Sequence, residues 1–279
     1  MIGTTQLALN DGQSLPVIGF GTYPLRGRDG CRAILSALRA GYRLLDSAQN
    51  YDNEATVGQA LRRSGLSRQE VVVTTKLAGR HQARPLARRA VVESLWRLGV
   101  EQIDLCLIHW PNPGRDLYVE AWQALIEARQ EGLVRSIGVS NFTAGQLDRL
   151  IERTGVTPAV NQIEVHPGLV QDEIRAVNRR LGLVTQAWSP LGRQSVRRDS
   201  PPLLAAAQRH GVSLEQVILR WHLQLGCLPL PRSSDPERQR VNLDLFGFEL
   251  SPAELEAISA LGRPGRRIFG SDPETHEEL

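Results

Sequence analysis

Three cysteines, Cys31, Cys106 and Cys227, are too few and too odd in number to complete a disulfide framework, which points to a reducing compartment. No apolar run reaches the ~18 residues of a membrane span, and no long Pro, Gly or Ser tract interrupts the middle of the chain as a linker. Residues 1–279 therefore read as one domain. The opening stretch MIGTTQLALNDGQSLP lacks the basic region and apolar core of a secretory signal, so the expected location is cytoplasmic. Lysine is nearly missing as well: of 33 basic residues, all except Lys76 are arginine. The bias itself carries no function, but a task that needs a compact ammonium rather than a planar fork resists it. With a net charge of +3 and arginines scattered among acids, there is no basic arm with interleaved aromatics to suggest nucleic-acid binding.

What is present is an alternating grammar. QLALNDGQSLPVIGFG reads as a hairpin around Asp11-Gly12 that forms a lid on one end of the main fold. Helices are predicted near 29–40, 54–63, 86–98, 117–130, 143–153, 172–181, 202–209 and 213–224. Strands fall at 43–45, 71–75, 104–108, 136–140, 159–165 and 183–188, with GFG before them and CLPLP after. About eight strands interleaved with helices, in a length near the ~250 residues of that architecture, predict an α/β chain folded as a (β/α)8 TIM barrel with an N-terminal β-hairpin. The runner-up, an open Rossmann-like sheet, lacks its GxGxxG; GFGTYPLRG has the glycines without the spacing. The acidic tail SDPETHEEL reads as a surface extension.

Several apolar runs end in chemistry. RLLD ends at Asp46 with Tyr51 five residues on, VVVTTK ends at Lys76, and IDLCLIH ends at His109. Each alone has a bland reading, Asp46 as a cap and Tyr51 as core packing. In a barrel, however, the C-terminal ends of the strands form the functional face, and Ser140, Asn141, Gln162, Trp188 and Arg232 would join those four there.

At these residues the sequence resembles the aldo-keto reductases, most closely the bacterial 2,5-diketo-gluconate reductase branch. The pieces are GFGTY (19–23), DSAQNYDNEATVG (46–58), TTKL (74–77), IDLCLIHWP (103–111), IGVSNF (137–142), VNQIEVHP (160–167), WSPLG (188–192) and PRSSDPERQRVN (231–242). The resemblance implies NADPH-dependent reduction of aldehydes or ketones to alcohols by hydride transfer, on a small-molecule carbonyl substrate, by a monomer that binds neither membrane nor nucleic acid. It implies a catalytic set of Asp46, Tyr51, Lys76 and His109, with Tyr51 as general acid. Lys76 within about 4 Å would favour the phenolate by up to ~4 kcal/mol at an effective dielectric of ~20, before desolvation opposes it. Asp46 would hold Lys76, and His109 would polarise the carbonyl. Cofactor contacts implied are Ser140, Asn141 and Gln162 on the carboxamide, Trp188 on the nicotinamide ring, Ser189 and Leu191 beside it, and Arg232, Ser233, Ser234, Arg238 and Asn242 around the adenosine phosphate. Tyr23 and Trp110 would wall the substrate, and no metal is implied.

Some features depart from that pattern or compete with it. Ala78 stands where the branch often has Trp, which predicts a roomier pocket. Arg232 replaces a more usual Lys, and Asp235 opposes a phosphate unless it caps the helix that Pro236 begins. The arginines there could equally pair with nearby acids, and Trp188 could be ordinary core. Glu164 and His166 alternate on a strand and read as a structural pair. Two other functions compete: a nucleotide-binding subunit of channel type, and a metal-dependent barrel hydrolase using Asp46, His109 and His166.

Overall fold

The protein, as a computed structural model, is described over residues 6–278; positions 1–5 of the segment read for a secretory signal lie outside the described residues. Strands β1 (Gln6–Ala8) and β2 (Ser14–Pro16) pair antiparallel around Gly12, whose φ of 84° suits the turn. Eight strands then form one parallel sheet in sequence order: β3 (Phe20–Gly21), β4 (Leu44–Asp46), β5 (Val72–Leu77), β6 (Ile103–Ile108), β7 (Val134–Ser140), β8 (Val160–Glu164), β9 (Val184–Trp188) and β10 (Cys227–Pro229). Gly19 N donates to Pro229 O at 3.1 Å and Gly21 N to Pro231 O at 3.0 Å, which joins the first strand to the last and closes the barrel. Close packing favours glycine there. A Cβ at position 19 would lie 2.3 Å from Leu44 Cδ2 and 2.6 Å from Leu230 Cδ2.

The connecting helices are α1 (Gly27–Ala40), α2 (Glu54–Arg63), α3 (Arg84–Leu98), α4 (Tyr118–Gln130), α5 (Ala144–Thr154), α6 (Asp172–Arg180), α7 (Pro201–His210) and α8 (Leu214–Gln224). Their apolar stripes explain their seats. In α1, Cys31, Ile34, Leu35 and Leu38 follow the helical period, are buried, and join the shell between helices and sheet. Short helices α9 (Pro236–Val241) and α10 (Pro252–Ser259) follow the last strand. The sequence reading placed the start of α9 but not α10, although Ser251 and Glu254 form its capping box.

Inside the barrel, character changes along the axis. Leu9 and Leu15 of the hairpin pack with Leu44, Leu105, Leu107, Val160, Leu228 and Leu230 as an apolar floor, so the predicted lid closes the N-terminal end of the strands. Towards the other end, Asp46, Lys76, Gln162 and Gln186 are buried polar groups. None of the helices among the described residues is long and apolar enough to cross a membrane.

The reading of the tail is corrected. Residues 271–278 do not extend over the surface as a free polar strand. They fold back on the C-terminal end of the strands, where the Asn112 side chain holds the Glu278 backbone by two hydrogen bonds and Gly114 N donates to Glu277 Oε1 at 2.6 Å. Acidic side chains misled because their partners are backbone N–H groups and a histidine far away in sequence, which no local pattern announces.

Candidate active site

Register brings the first three groups together. Asp46, the last residue of β4, pairs with Thr74 of β5, and Lys76 lies two residues on, facing the same side of the sheet. Lys76 Nζ donates to Asp46 Oδ2 at 2.7 Å, to Ser47 O at 2.9 Å and to the Tyr51 hydroxyl at 3.3 Å, which uses its three donors. Lys76 is fully buried, so this triple engagement is what makes an ammonium tolerable there. Gln162 Nε2 donates to the other Asp46 oxygen at 2.8 Å. His109 follows β6, and its ring meets that of Tyr51 edge-on with centroids 5.6 Å apart.

Tyr51 sits not on a strand end but on a 3-10 turn, Gln49–Tyr51. That turn is held from several sides. Gln49 Nε2 donates to Ala90 O and Ser94 Oγ, its Oε1 accepts from Ala78 N, and Arg26 Nε donates to Tyr51 O. Asn53 just beyond bonds Ser47 and Thr22. The sequence reading did not single out Gln49 or Asn53 within DSAQNYDN.

Electrostatics correct one expectation. Burial works against the Lys76 ammonium, yet Asp46 and the Tyr51 oxygen outweigh it and hold its pKa above the ordinary lysine value. Burial also pushes the Tyr51 phenol up; Lys76 pulls it down, Asp46 pushes it up again, and the balance lies above the ordinary value. Lys76 therefore does not bring the Tyr51 pKa below the ordinary phenol value, because burial, with Asp46 adding to it, outweighs the pull of the ammonium. Tyr51 keeps part of its surface on the cleft.

These groups open on a cleft of about 880 Å³ at the C-terminal end of the strands. Tyr23, Asp46, Tyr51, His109 and Trp110 line one part; Ser140, Asn141, Gln162, Trp188, Ser189, Leu191 and Arg232 line the rest. Ser140 Oγ donates to Gln162 O, Asn141 Nδ2 to Ser140 Oγ and His109 O, and Trp188 Nε1 to Asn141 Oδ1. Asn141 and Ser189 both adopt positive φ, 63° and 47°; this bonded network holds Asn141, and Ser189 O accepts from Gly192 N at 2.9 Å. The Tyr23 ring packs on that of Tyr51 with centroids 5.1 Å apart.

Other sequence-predicted residues lie away from the cleft wall. Ser233 bonds Asp235 N, Ser234 and Arg238 are exposed, and Asn242 is buried against the Tyr42 hydroxyl. Asp235 turns into its own helix, accepting from Glu237 N at 2.8 Å and Arg238 N at 3.3 Å. It thus occupies the helix-start N–H groups rather than leaving them for an anion. Glu237 pairs with Arg240, while Arg232 and Arg238 make no ion pair among the described residues. Ala78 is fully buried and does not line the cleft; the tail packs over its neighbour Gly79, so the space expected from the missing Trp is not simply open.

Both ring nitrogens of His166 are engaged, Nε2 by Glu164 at 3.0 Å and Nδ1 by Gly168 N at 3.1 Å, and Glu164 Oε1 also accepts from Ile268 N. That leaves no ring nitrogen for the metal-hydrolase reading. Among the described residues, no three His, Cys, Asp or Glu side chains converge as metal ligands.

Residues 17–263 match the model of the Aldo/keto reductase family. The chain is 49% identical over 273 residues to a 2,5-diketo-D-gluconic acid reductase B of Corynebacterium sp., covering 98% of both chains. The chain belongs to the aldo/keto reductase family. An aldo-keto reductase of Mycolicibacterium smegmatis is 44% identical over 97% of each chain. Among solved structures, a mutant of Gox0644 in complex with NADPH superposes with a TM-score of 0.93 at 38% identity, over 98% of this chain and 99% of that one. A Bombyx mori aldo-keto reductase in complex with NADP gives 0.87 at 36% identity, over 93% of each.

For this aldo/keto reductase the sequence reading missed the C-terminal contributions. Phe269 lines the cleft with its ring nearly parallel to Trp188, centroids 6.2 Å apart, and Arg193 lies 5.3 Å over the same Phe269 ring. His276 packs on Trp110 at 4.3 Å, and Glu278 Oε1 stands 2.6 Å from His109 Nδ1. GRRIFGSDPETHEEL carries no periodicity that could have announced these contacts.

Proposed function

We propose that this chain reduces aldehydes or ketones to alcohols with NADPH, Tyr51 delivering the proton. The observation that carries the reading is the contact of Lys76 Nζ with both Asp46 and the Tyr51 hydroxyl at the wall of the cleft. A nucleotide suits the rest of that cleft: amide and hydroxyl groups of Ser140, Asn141 and Gln162, the half-buried Trp188 face, and Arg232, a cation with no ion pair among the described residues, follow one another along it. The bound nicotinamide nucleotide supplies the hydride.

The chain's own residues handle the rest. Hydride addition leaves negative charge on the carbonyl oxygen, and Tyr51, kept protonated by its raised pKa, gives its proton there. The phenolate that remains faces the Lys76 ammonium at 3.3 Å, and Asp46 and Ser47 O keep that ammonium in place. His109, whose ring meets that of Tyr51 edge-on, polarises the carbonyl from beside it, while Tyr23 and Trp110 present aromatic surface to the substrate body. Ser189 and Leu191 flank the ring position, and Ser233, Ser234, Arg238 and Asn242 are assigned to the adenosine end. A reducing, cytoplasmic setting accords with three buried free thiols, two of which burial pushes up, Cys106 to about 12 and Cys227 to about 11; we assign a monomer.

NADPH consumption against a panel of α-ketoaldehydes, diketones and keto-sugars tests the reading, with Tyr51→Phe as control. The variant keeps the aromatic packing and loses the proton, so turnover is expected to fall about 100-fold or more while nucleotide affinity stays within about twofold. Near-normal turnover in Tyr51→Phe would remove Tyr51 from the role.

A further inference from the structure

The C-terminal segment reaches the catalytic histidine through a seat prepared for it. Asn112 Nδ2 donates to Glu278 O at 2.7 Å, and Glu278 N donates to Asn112 Oδ1 at 3.0 Å. Glu278 Oε2 accepts from Gly79 N at 3.0 Å, Asn50 adds a side-chain hydrogen bond, and Oε1 lies 2.6 Å from His109 Nδ1. Both side chains are 12% exposed. The barrel makes room with glycine: a Cβ on Gly79 would lie 2.1 Å from both Glu278 O and Asn112 Nδ2, and one on Gly114 would lie 2.9 Å from Glu277 Oε1.

His109 Nδ1 is buried and has no aligned hydrogen-bond partner among the described residues, so its contact with Glu278 is a charge contact off the N–H axis. Such a contact still distinguishes the two faces of the ring. Turning the imidazole by half a rotation exchanges Nδ1 with a carbon and Nε2 with a carbon, which would set a C–H against the carboxylate. Burial alone would raise the Glu278 carboxyl, but the charge contact with His109 and the hydrogen bonds from Asn50 and Gly79 hold it below the usual range, so it stays anionic.

We infer that Glu278 is a positioning residue for His109: its carboxylate fixes the ring with Nδ1 towards the tail, leaving Nε2 rather than a ring carbon for the carbonyl. The role of Nε2 rests on the reductase reading above; the orientation of the ring does not. The tail is thereby part of the active site's construction, and Glu278 acts on the chemistry through a histidine 169 positions earlier.

The test compares wild type, Glu278→Ala and Glu278→Asp in the full chain. Steady-state reduction of a neutral aldehyde gives kcat and KM, fluorescence titration gives the NADPH dissociation constant, and 15N NMR of histidine-labelled protein reports on His109, its signals assigned with His109→Asn. The expected result is a fall of about tenfold or more in kcat for Glu278→Ala, partial recovery in Glu278→Asp, unchanged NADPH affinity and a displaced Nδ1 signal. A rise in KM alone with kcat intact would make the tail only a pocket wall and overturn the inference. An unchanged His109 signal would overturn it too. Absence of NADPH-dependent reduction in wild type would instead sink the functional reading, with the NMR comparison still deciding the contact.

Discussion

On the proposed reading Tyr51 loses a proton in one direction of the reaction and regains it in the other, so its pKa would set the pH at which each direction runs. In reduction it gives a proton, and a phenol whose pKa stands above its ordinary value is fully protonated at neutral pH. In alcohol oxidation it must first be the phenolate, and that form is scarce below the raised pKa. The sign is therefore opposite for the two directions: reduction holds level across neutral pH, while oxidation climbs as hydroxide increases. Oxidation kcat is expected to rise about tenfold per pH unit between about pH 7 and about pH 9, with no plateau there. A stopped-flow series on a primary alcohol with the oxidised nucleotide checks this, and a plateau near neutrality would mean that Tyr51 is acidified after all. The sequence made Lys76 stand out as the lone lysine and paired it with the right groups. It could not weigh burial against charge, because desolvation depends on everything packed around the pair rather than on the pair itself.

One element sets how closely β5 and its lysine are held: α2, whose first residue Glu54 accepts from Thr75 Oγ1 at 2.6 Å and from Arg97 Nε at 2.6 Å. This buried carboxylate ties α2 to the neighbour of Lys76 on one side and to α3 on the other. Further along α2, Gly58 touches the end of α3 so closely that a Cβ would lie 2.0 Å from Leu98 O and 2.6 Å from Leu98 C. Alanine is intrinsically better than glycine in a helix by about 1 kcal/mol. Against that, the clash is with backbone rather than a side-chain tip, so the helices must separate, an overpacking cost of about 3 kcal/mol or more. The clash wins: Gly58→Ala is expected to lower stability by about 2 kcal/mol net, a fall in Tm of roughly 4–8 °C by calorimetry. An unchanged or higher Tm would show that α2 and α3 part at little cost. Such contacts explain which parts of the fold were legible. IDLCLI and VVVTTK announce strands because both faces of a barrel strand are covered, making the apolar run continuous. Nothing in QNY announces the 3-10 turn that aims Tyr51, since its geometry comes from Gln49 reaching Ala90 and Ser94 of α3 and the backbone of Ala78.

Over the whole molecule, the candidate active site is assembled from segments as distant as Asp46 and Glu278, and the sequence pointed to the strand-borne part of that assembly. The tail stayed hidden because its partner Asn112 is 166 residues away and its acids look like ordinary solubilising groups. The nucleotide end was readable in composition, and the structure decides how its charges are spent. Arg232 lines the cleft and is exposed, Arg238 is exposed, and neither is drawn into an ion pair among the described residues, whereas Glu237 is taken by Arg240. Asp235, the one acid placed to repel a 2′-phosphate, has its carboxylate turned onto Glu237 N and Arg238 N, where two backbone dipoles offset its charge. Two such guanidinium groups against one engaged carboxylate favour the phosphorylated nucleotide, through paired donors that match phosphate geometry. NADPH is expected to bind at least about tenfold more tightly than NADH, a difference of roughly 1.4 kcal/mol. Because the arginines are exposed, salt screens them, so the preference should shrink as ionic strength rises and again in Arg238→Ala, while NADH affinity changes little. Fluorescence titration of both nucleotides at low and high salt measures each of these, and equal affinities at low ionic strength would mean that residues 231–242 do not read the 2′-phosphate.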